Sequence, residues 1–182
     1  KSMNLTIDII APSHGVIWRD DPMYIVEKYA EWAASYQEDQ LTIVYDTMWE
    51  GTKAIAHEIA RVAVEVSPET IVKVFNCSKE DKSELMTEIF KSKAIAVGSP
   101  TVGNDVLNSI NSTVHFIKSL KFKGKKAAAF GCYGWSGESV VVLKNSLADA
   151  GFKVIDENIR SLWKPSEEDL TSIEPLVKSL LG

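Results

Sequence analysis

Three short loops hold the residues with chemistry to offer. Asp46-Thr47-Met48-Trp49-Glu50-Gly51-Thr52 follows an apolar run and leads straight into an amphipathic stretch. Hydroxyls at the opening turn of a helix bring O–H donors, backbone N–H groups and the positive end of the helix dipole to one place, a set that suits a phosphate. Thr47 and Thr52 would serve equally as plain helix caps, and this loop alone leaves both readings open. The chain has neither G-x-x-x-x-G-K-[ST] nor G-x-G-x-x-G, so the expectation is a monophosphate and not a nucleoside triphosphate or a dinucleotide. The second loop, Gly98-Ser99-Pro100-Thr101-Val102-Gly103-Asn104, is made of small residues that let backbone approach a ligand plane closely; by itself it is an ordinary turn. The third, Gly131-Cys132-Tyr133-Gly134-Trp135-Ser136-Gly137, sets two aromatics among glycines. Large aromatics are normally wanted in a core, so Tyr133 and Trp135 on a loop point to stacking on a flat ligand, with simple loop anchoring the plainer alternative.

These loops need a scaffold that brings them to one edge. From Leu41 onward, apolar β-rich runs alternate with amphipathic stretches, the pattern of βαβ units around a parallel sheet. The runs are Leu41 to Tyr45, Thr70 to Phe75, Ala94 to Gly98, Lys126 to Gly131 and Phe152 to Asn158. The central runs are almost wholly apolar, as a sheet covered on both faces requires. Helices fill the intervals: Ile55, Ile59 and Val62 mark the first; Leu85 and Ile89 the second, introduced by Ser78 or a neighbour; Leu107, Ile110, Val114 and Ile117 the third; Val140, Leu143 and Leu147 the fourth; Leu170, Ile173, Val177 and Leu180 the last. Such a doubly wound α/β sheet binds ligands beyond the carboxyl ends of its strands, which is where all three loops fall. Residues 1–40 break the rhythm with an apolar run from Leu5 to Ile10, a turn at Pro12 to Gly15 and a helix from Pro22 to about Gln37. They read as an N-terminal extension beside one domain at 41–182.

Composition narrows the classes. The 182 residues are 45% hydrophobic and 25% charged, which is globular usage. A formal net charge of -5 and the lack of a long basic tract argue against nucleic acid; the cluster Lys118, Lys121, Lys123, Lys125 and Lys126 reads as solvated surface. Two cysteines, Cys77 and Cys132, are too few for a disulfide framework and lack metal-ligand spacing, which fits a reducing cytosol. No run reaches the ~18 apolar residues of a membrane span, and no signal peptide opens the chain, so a cytoplasmic location is expected.

A phosphate cradle, a close-approach turn and an aromatic turn along one sheet edge describe a site for a small planar ring carrying one phosphate, the shape of flavin mononucleotide (FMN). With the motifs APSHGVIWR at 11–19, YDTMWEGT at 45–52, GSPTVGND at 98–105 and GCYGWSGE at 131–138, the chain resembles the flavodoxin-like domain of flavodiiron proteins, over essentially its whole length. The resemblance implies a five-stranded sheet of order 2-1-3-4-5. It places the FMN phosphate at Thr47, Met48, Trp49, Glu50, Gly51 and Thr52. The isoalloxazine would lie between Ser99, Pro100, Thr101, Val102, Gly103 and Asn104 on one side and Gly131, Cys132, Tyr133, Gly134, Trp135, Ser136 and Gly137 on the other. Flavodoxins proper prefer glycine where Glu50 stands; Gly51 is expected to take over that turn, with Glu50 pointing to solvent. By the same resemblance His14 matches an iron ligand of a preceding metallo-β-lactamase-like domain. Its partner ligands are absent here, so a di-iron site would exist only in a longer parent. The implied function is electron relay from rubredoxin or an NADH-linked reductase to di-iron chemistry on O2 or NO, in a parent that assembles as a homo-oligomer, with no catalytic residue in this chain. A free-standing flavodoxin-like electron carrier, or a non-redox interaction module of the same fold, is the alternative.

Other readings fare worse. Gly134-Trp135-Ser136 begins like a nucleophile elbow, but Glu138 replaces the second glycine and all three histidines precede Ser136. A phosphoacceptor domain needs a carboxylate after the third strand, where Gly98-Ser99-Pro100 stands. His57 and His115 lie within helical patterns, Cys132 is a lone thiol that reads as packing, Trp18 is similar to a family residue near the domain and subunit interface or else anchors the extension, and Trp32 and Trp163 are given no role.

Overall fold

The computed structural model describes residues 6–182, so Leu5 of the first apolar run lies outside the described residues. The chain divides into two compact units, one ending at Tyr36 and one spanning Gln37–Gly182.

In the first unit, Ile10 and Trp18 exchange backbone hydrogen bonds of 3.0 and 2.9 Å across a turn in which Gly15 takes φ +116°. Helix α1 (Pro22–Ala33) follows, with Pro22 in its first turn and the Asp21 side chain accepting from the Tyr24 amide at 3.3 Å. It stops short of Gln37 because Ser35 turns left-handed at φ 65°. No α1 residue is buried, and His14 is exposed.

The second unit is a parallel sheet of order β2-β1-β3-β4-β5, with β1 at Glu38–Tyr45, β2 at Ile71–Asn76, β3 at Ser92–Gly98, β4 at Lys126–Tyr133 and β5 at Lys153–Leu162. The expected five-stranded order is the one found. Side chains alternate between two cores. Ile43, Ala94, Ala96, Ala128 and Phe130 face α2 (Gly51–Val66) and α7 (Ile173–Leu181), while Val44, Ile95, Val97, Ala127 and Ala129 face α3 (Lys82–Lys91), α4 (Asn108–Leu120) and α5 (Ser139–Asp149). Gly98 is compulsory, because a β-carbon there would stand 2.1 Å from the Phe130 ring.

Several boundaries differ from the sequence expectation for identifiable reasons. β1 begins three residues earlier, at Glu38, because polar Gln40 is buried through a side-chain network: its Nε2 donates to the Glu88 carbonyl at 3.0 Å and to Ser92 Oγ at 3.1 Å. Asp81, not Ser78, caps α3. The single last helix is two, α6 (Glu167–Thr171) and α7, since Pro175 has no amide to continue a helix through Ser172. β5 runs on to Leu162, four residues past Asn158, after an irregularity in its pairing with β4. Lys125 is no solvated lysine: it is 2% exposed, and its Nζ donates to the Phe90 and Ser92 carbonyls at 2.7 and 2.6 Å, closing the C-terminus of α3. Burial lowers its pKa to about 8.

Candidate functional site

At the carboxyl end of the sheet the three loops converge on one cavity of about 340 Å³. Each loop has a distinct local cause. Asp46, at the exit of β1, anchors the first: its carboxylate accepts from the Thr47 amide (2.8 Å), Ser109 Oγ (2.5 Å) and Ser78 Oγ (3.2 Å), tying β1 to the β2 exit and to α4. The chain then reverses at Glu50, φ 63°, and enters α2. Gly51 does not make that turn. It is required for a different reason, since a β-carbon on it would lie 2.7 Å from the Trp163 carbonyl oxygen and 2.8 Å from Cys132 Sγ. Glu50 points to solvent as the sequence reading required, pairing with Lys53 at 2.6 Å.

The second loop projects a tight hairpin. Val102 and Asp105 exchange backbone hydrogen bonds of 2.9 and 3.1 Å, with Gly103 and Asn104 between them at φ 57° and 62°, the handedness of a type I′ turn. Hydroxyls fasten its base. Thr101 Oγ1 donates to Ser139 Oγ (2.9 Å), and Ser139 Oγ donates to the Ser99 carbonyl (3.0 Å). The Leu107 amide donates to Ser99 Oγ at 2.9 Å. In the third loop, the Arg160 guanidinium lies 5.0 Å over the Tyr133 ring and donates to the Ser136 carbonyl, and Gly137 turns at φ +70°.

Of the residues nominated from the sequence, Thr47, Met48, Trp49, Gly51, Thr52, Pro100, Thr101, Val102, Gly103, Asn104, Cys132, Tyr133, Gly134, Trp135 and Ser136 line the cavity. Four stand off it. Ser99 is fully buried as the hydroxyl anchor just described. Gly131 lies beneath it, where a β-carbon would come within 2.0 Å of the Ser99 carbonyl oxygen. Gly137 forms a turn, and Glu50 faces outward. His14 belongs to the other unit, and no group of three or more His, Cys, Asp or Glu among the described residues could hold a metal ion.

One lining residue was missed. Trp163 leaves β5 at φ 61°, its amide donates to the Tyr133 carbonyl at 2.8 Å, and its ring meets Trp135 edge-on at 5.9 Å between centroids. Gly134 makes room for it, since a β-carbon there would stand 2.8 Å from the indole. The signal was the Ser161-Leu162-Trp163 run, but a strand ended at Asn158 leaves Trp163 in an unassigned loop. Trp135 is 91% exposed and Trp163 59%, so two indoles stand at the mouth with little covering them.

The polar atoms say what the cavity lacks. Four buried side-chain oxygens among the described residues have no hydrogen-bond partner, and all four sit at this end of the sheet: Thr47 Oγ1, Thr52 Oγ1, Glu138 Oε2 and Ser161 Oγ. Thr47 and Thr52 face the cavity beside the N-terminus of α2, where no side chain caps the first amides. Burial drives the Cys132 thiol up to about 11, opposed by the Thr52 hydroxyl, which would donate to the thiolate; beside the protonated thiol that hydroxyl has no hydrogen-bond partner. Two orphan hydroxyls, open helix amides and two exposed indoles fit a ligand with an oxygen-rich anionic end and a flat aromatic end.

This fold and this rim define a doubly wound α/β domain with a candidate ligand site at the carboxyl edge of the sheet. The family model for flavodoxins matches residues 43–174, and the chain belongs to the flavodoxin family, whose domain implies flavin binding. It is 45% identical over 167 residues to the anaerobic nitric oxide reductase flavorubredoxin of Escherichia coli O1:K1, covering 92% of this chain and 35% of that protein. Its fold matches the rubredoxin:oxygen oxidoreductase of Desulfovibrio gigas with a TM-score of 0.90 at 32% identity, over 96% of this chain and 43% of that one. An archaeal flavodoxin aligns over 96% of its own length but 78% of this chain, with a TM-score of 0.68 and 29% identity. The chain spans about a third of the length of the curated relatives it matches. No helix among the described residues is long and apolar enough to cross a membrane.

Proposed function

We propose that this chain is the FMN-binding electron-transfer module of a flavodiiron-type protein, receiving electrons from a rubredoxin or an NADH-linked reductase and passing them toward a di-iron centre in a preceding domain of a cytoplasmic, homo-oligomeric parent. The observation that carries the FMN reading is the pair of buried, partnerless hydroxyls of Thr47 and Thr52 in a cavity whose mouth is made of Trp135 and Trp163. The SHGVIWR segment at 13–19 and the extent of likeness to flavorubredoxins support the parent's class. His14 would be a metal ligand only within that parent.

FMN, when bound, supplies reversible one- and two-electron transfer, and the protein's share is binding, orientation and electrostatics. Thr47, Thr52 and the first amides of α2 would hold the phosphate. Thr101, through Ser139, fixes the spacing between the second and third loops, and so the width of the slot for the ring. Trp135, Trp163 and Tyr133 offer aromatic surface to it. A net charge of -5 opposes further negative charge at the ring, which disfavours the anionic reduced form.

Titrating the flavin-free chain with FMN while following flavin fluorescence tests this directly. Saturable 1:1 quenching with a structured visible spectrum is expected. A chain that leaves FMN fluorescence unchanged at concentrations up to about 1 mM, beyond any useful affinity, refutes the reading.

A further inference from the structure

The residue before α2 neither caps the helix nor suits its own backbone. Glu50 sits at φ 63°, a conformation that favours glycine, and its side chain makes no hydrogen bond to the first amides of the helix. The carboxylate reaches outward instead to Lys53, one turn on, at 2.6 Å, with Glu50 69% and Lys53 44% exposed along their side chains. A carboxylate thus sits just outside the pocket, on the residue between the lining residues Trp49 and Gly51, while Thr52, itself 1% exposed, presents into the pocket a hydroxyl with no partner. A negative side chain at a helix N-terminus is ordinarily favourable. Beside a cradle for a phosphate it is a rival for the same positive field.

We propose that Glu50 sets the selectivity of this cradle for phosphorylated ligands: its charge, together with its hold on Lys53, lowers the preference for a flavin phosphate over the same flavin without phosphate. The proposal rests on the FMN reading. Two effects act in one direction. The carboxylate repels an incoming phosphate, and the ion pair engages the Lys53 ammonium, which would otherwise be available to it. Neither acts on riboflavin, which carries the same ring and no phosphate charge.

The test measures dissociation constants of the full chain for FMN and for riboflavin, by quenching of flavin fluorescence, in the native protein, Glu50→Gln, Glu50→Gly and Lys53→Met. Glu50→Gln keeps the backbone requirement and removes only charge. It should raise the FMN-to-riboflavin affinity ratio about threefold to tenfold, the scale of one charge acting on a dianion at a helix terminus, with riboflavin affinity unchanged. Lys53→Met should lower the ratio. At about 1 M ionic strength, where the screening length is about 3 Å, the variants should converge. A ratio unmoved in Glu50→Gln, an equal shift for both flavins, or a gain confined to Glu50→Gly overturns the proposal. A native chain that binds riboflavin and FMN alike poorly refutes the FMN reading and this proposal with it; one that binds FMN while the ratio stays fixed in Glu50→Gln refutes the proposal alone.

Discussion

Replacing Thr52 by Val should stabilise the flavin-free domain and damage its ligand site at once. The Thr52 hydroxyl is buried at 1% exposure with no hydrogen-bond partner, so the folded chain carries the desolvation cost of that group, about 1–3 kcal/mol. Valine keeps the branched shape and removes the hydroxyl, so the variant should gain about 1 kcal/mol or more in urea unfolding, seen as a higher midpoint at an unchanged slope. When a phosphate occupies the cradle, the same hydroxyl donates to a charged acceptor, a bond worth about 1.5–3 kcal/mol. Its loss should therefore weaken FMN binding about 10- to 160-fold while leaving riboflavin binding near the native value. Thr52→Ser, which retains the hydroxyl, should restore most of the FMN affinity. The two measurements must move in opposite directions. A Thr52→Val chain that is less stable without ligand and binds FMN as tightly as the native protein would refute the claim that this hydroxyl is held in reserve for a ligand.

Other outcomes follow from the same geometry. Trp163→Ala should weaken FMN binding roughly tenfold, about 1.4 kcal/mol of lost aromatic contact, and Trp135→Ala should weaken it or move the flavin potential; titration and redox potentiometry read both, and unchanged values remove either residue from the site. Gly51→Ala places a β-carbon 2.7 Å from the Trp163 carbonyl oxygen, so it should destabilise the domain by about 1–3 kcal/mol in urea unfolding and shift the β5–α6 turn; native stability would refute the steric role of Gly51. Lys125 has a folded pKa lowered to about 8 against an ordinary 10.5, so in that window the unfolded chain binds more protons and the native state gains stability as pH rises. The two cysteines, raised by burial, act oppositely on alkaline pH, so the readout is the difference between native and Lys125→Met. That difference should grow in the native protein's favour from pH 7 to 10, and a constant one would refute the assignment.

The sheet was legible because its central strands are continuously apolar and their partners alternate without interruption. Ala94, Ala96 and Ala127 to Ala129 read as strand and pack as strand, with small side chains that admit helices on both faces. What escaped was polar or positional. Gln40 hid the start of β1, because a hydrophobic pattern cannot see a side chain whose burial is compensated by Glu88 and Ser92. Trp163 escaped because β5 is an edge strand with exposed alternate residues, whose weak pattern fades before its true end. Glycines misled in one place. Gly51 looked like a turn residue, whereas Glu50 supplies the left-handed backbone and Gly51 supplies the space under Trp163. Local sequence reports φ preference, and only the packed structure reports that two segments cross within van der Waals contact.

The two ends of the sheet differ in how completely they satisfy the helix termini, and that difference supports the proposed site. At the amino end, lysines close the helix C-termini from within: Lys125 takes carbonyls at the end of α3, while Lys93 and Lys126 take the Leu181 and Ser179 carbonyls at the end of α7 at 3.0 and 2.8 Å. At the carboxyl end, three helix starts are likewise satisfied. Asp81 caps α3, Ser166 forms a capping box on α6, and Thr101 Oγ1 accepts the first amide of α5 at 3.1 Å. Helices α2 and α4 begin without a side-chain cap, behind Glu50 and Leu107, and the start of α2 lies next to the buried, partnerless hydroxyls of Thr47 and Thr52. A chain able to cap α3, α5 and α6 with ordinary residues had the means to cap α2. A start left open beside buried donors costs about 1–3 kcal/mol per orphan group, a cost that an arriving anion would recover. The same groups that make the empty domain less stable than it could be are therefore the ones we propose to select its ligand.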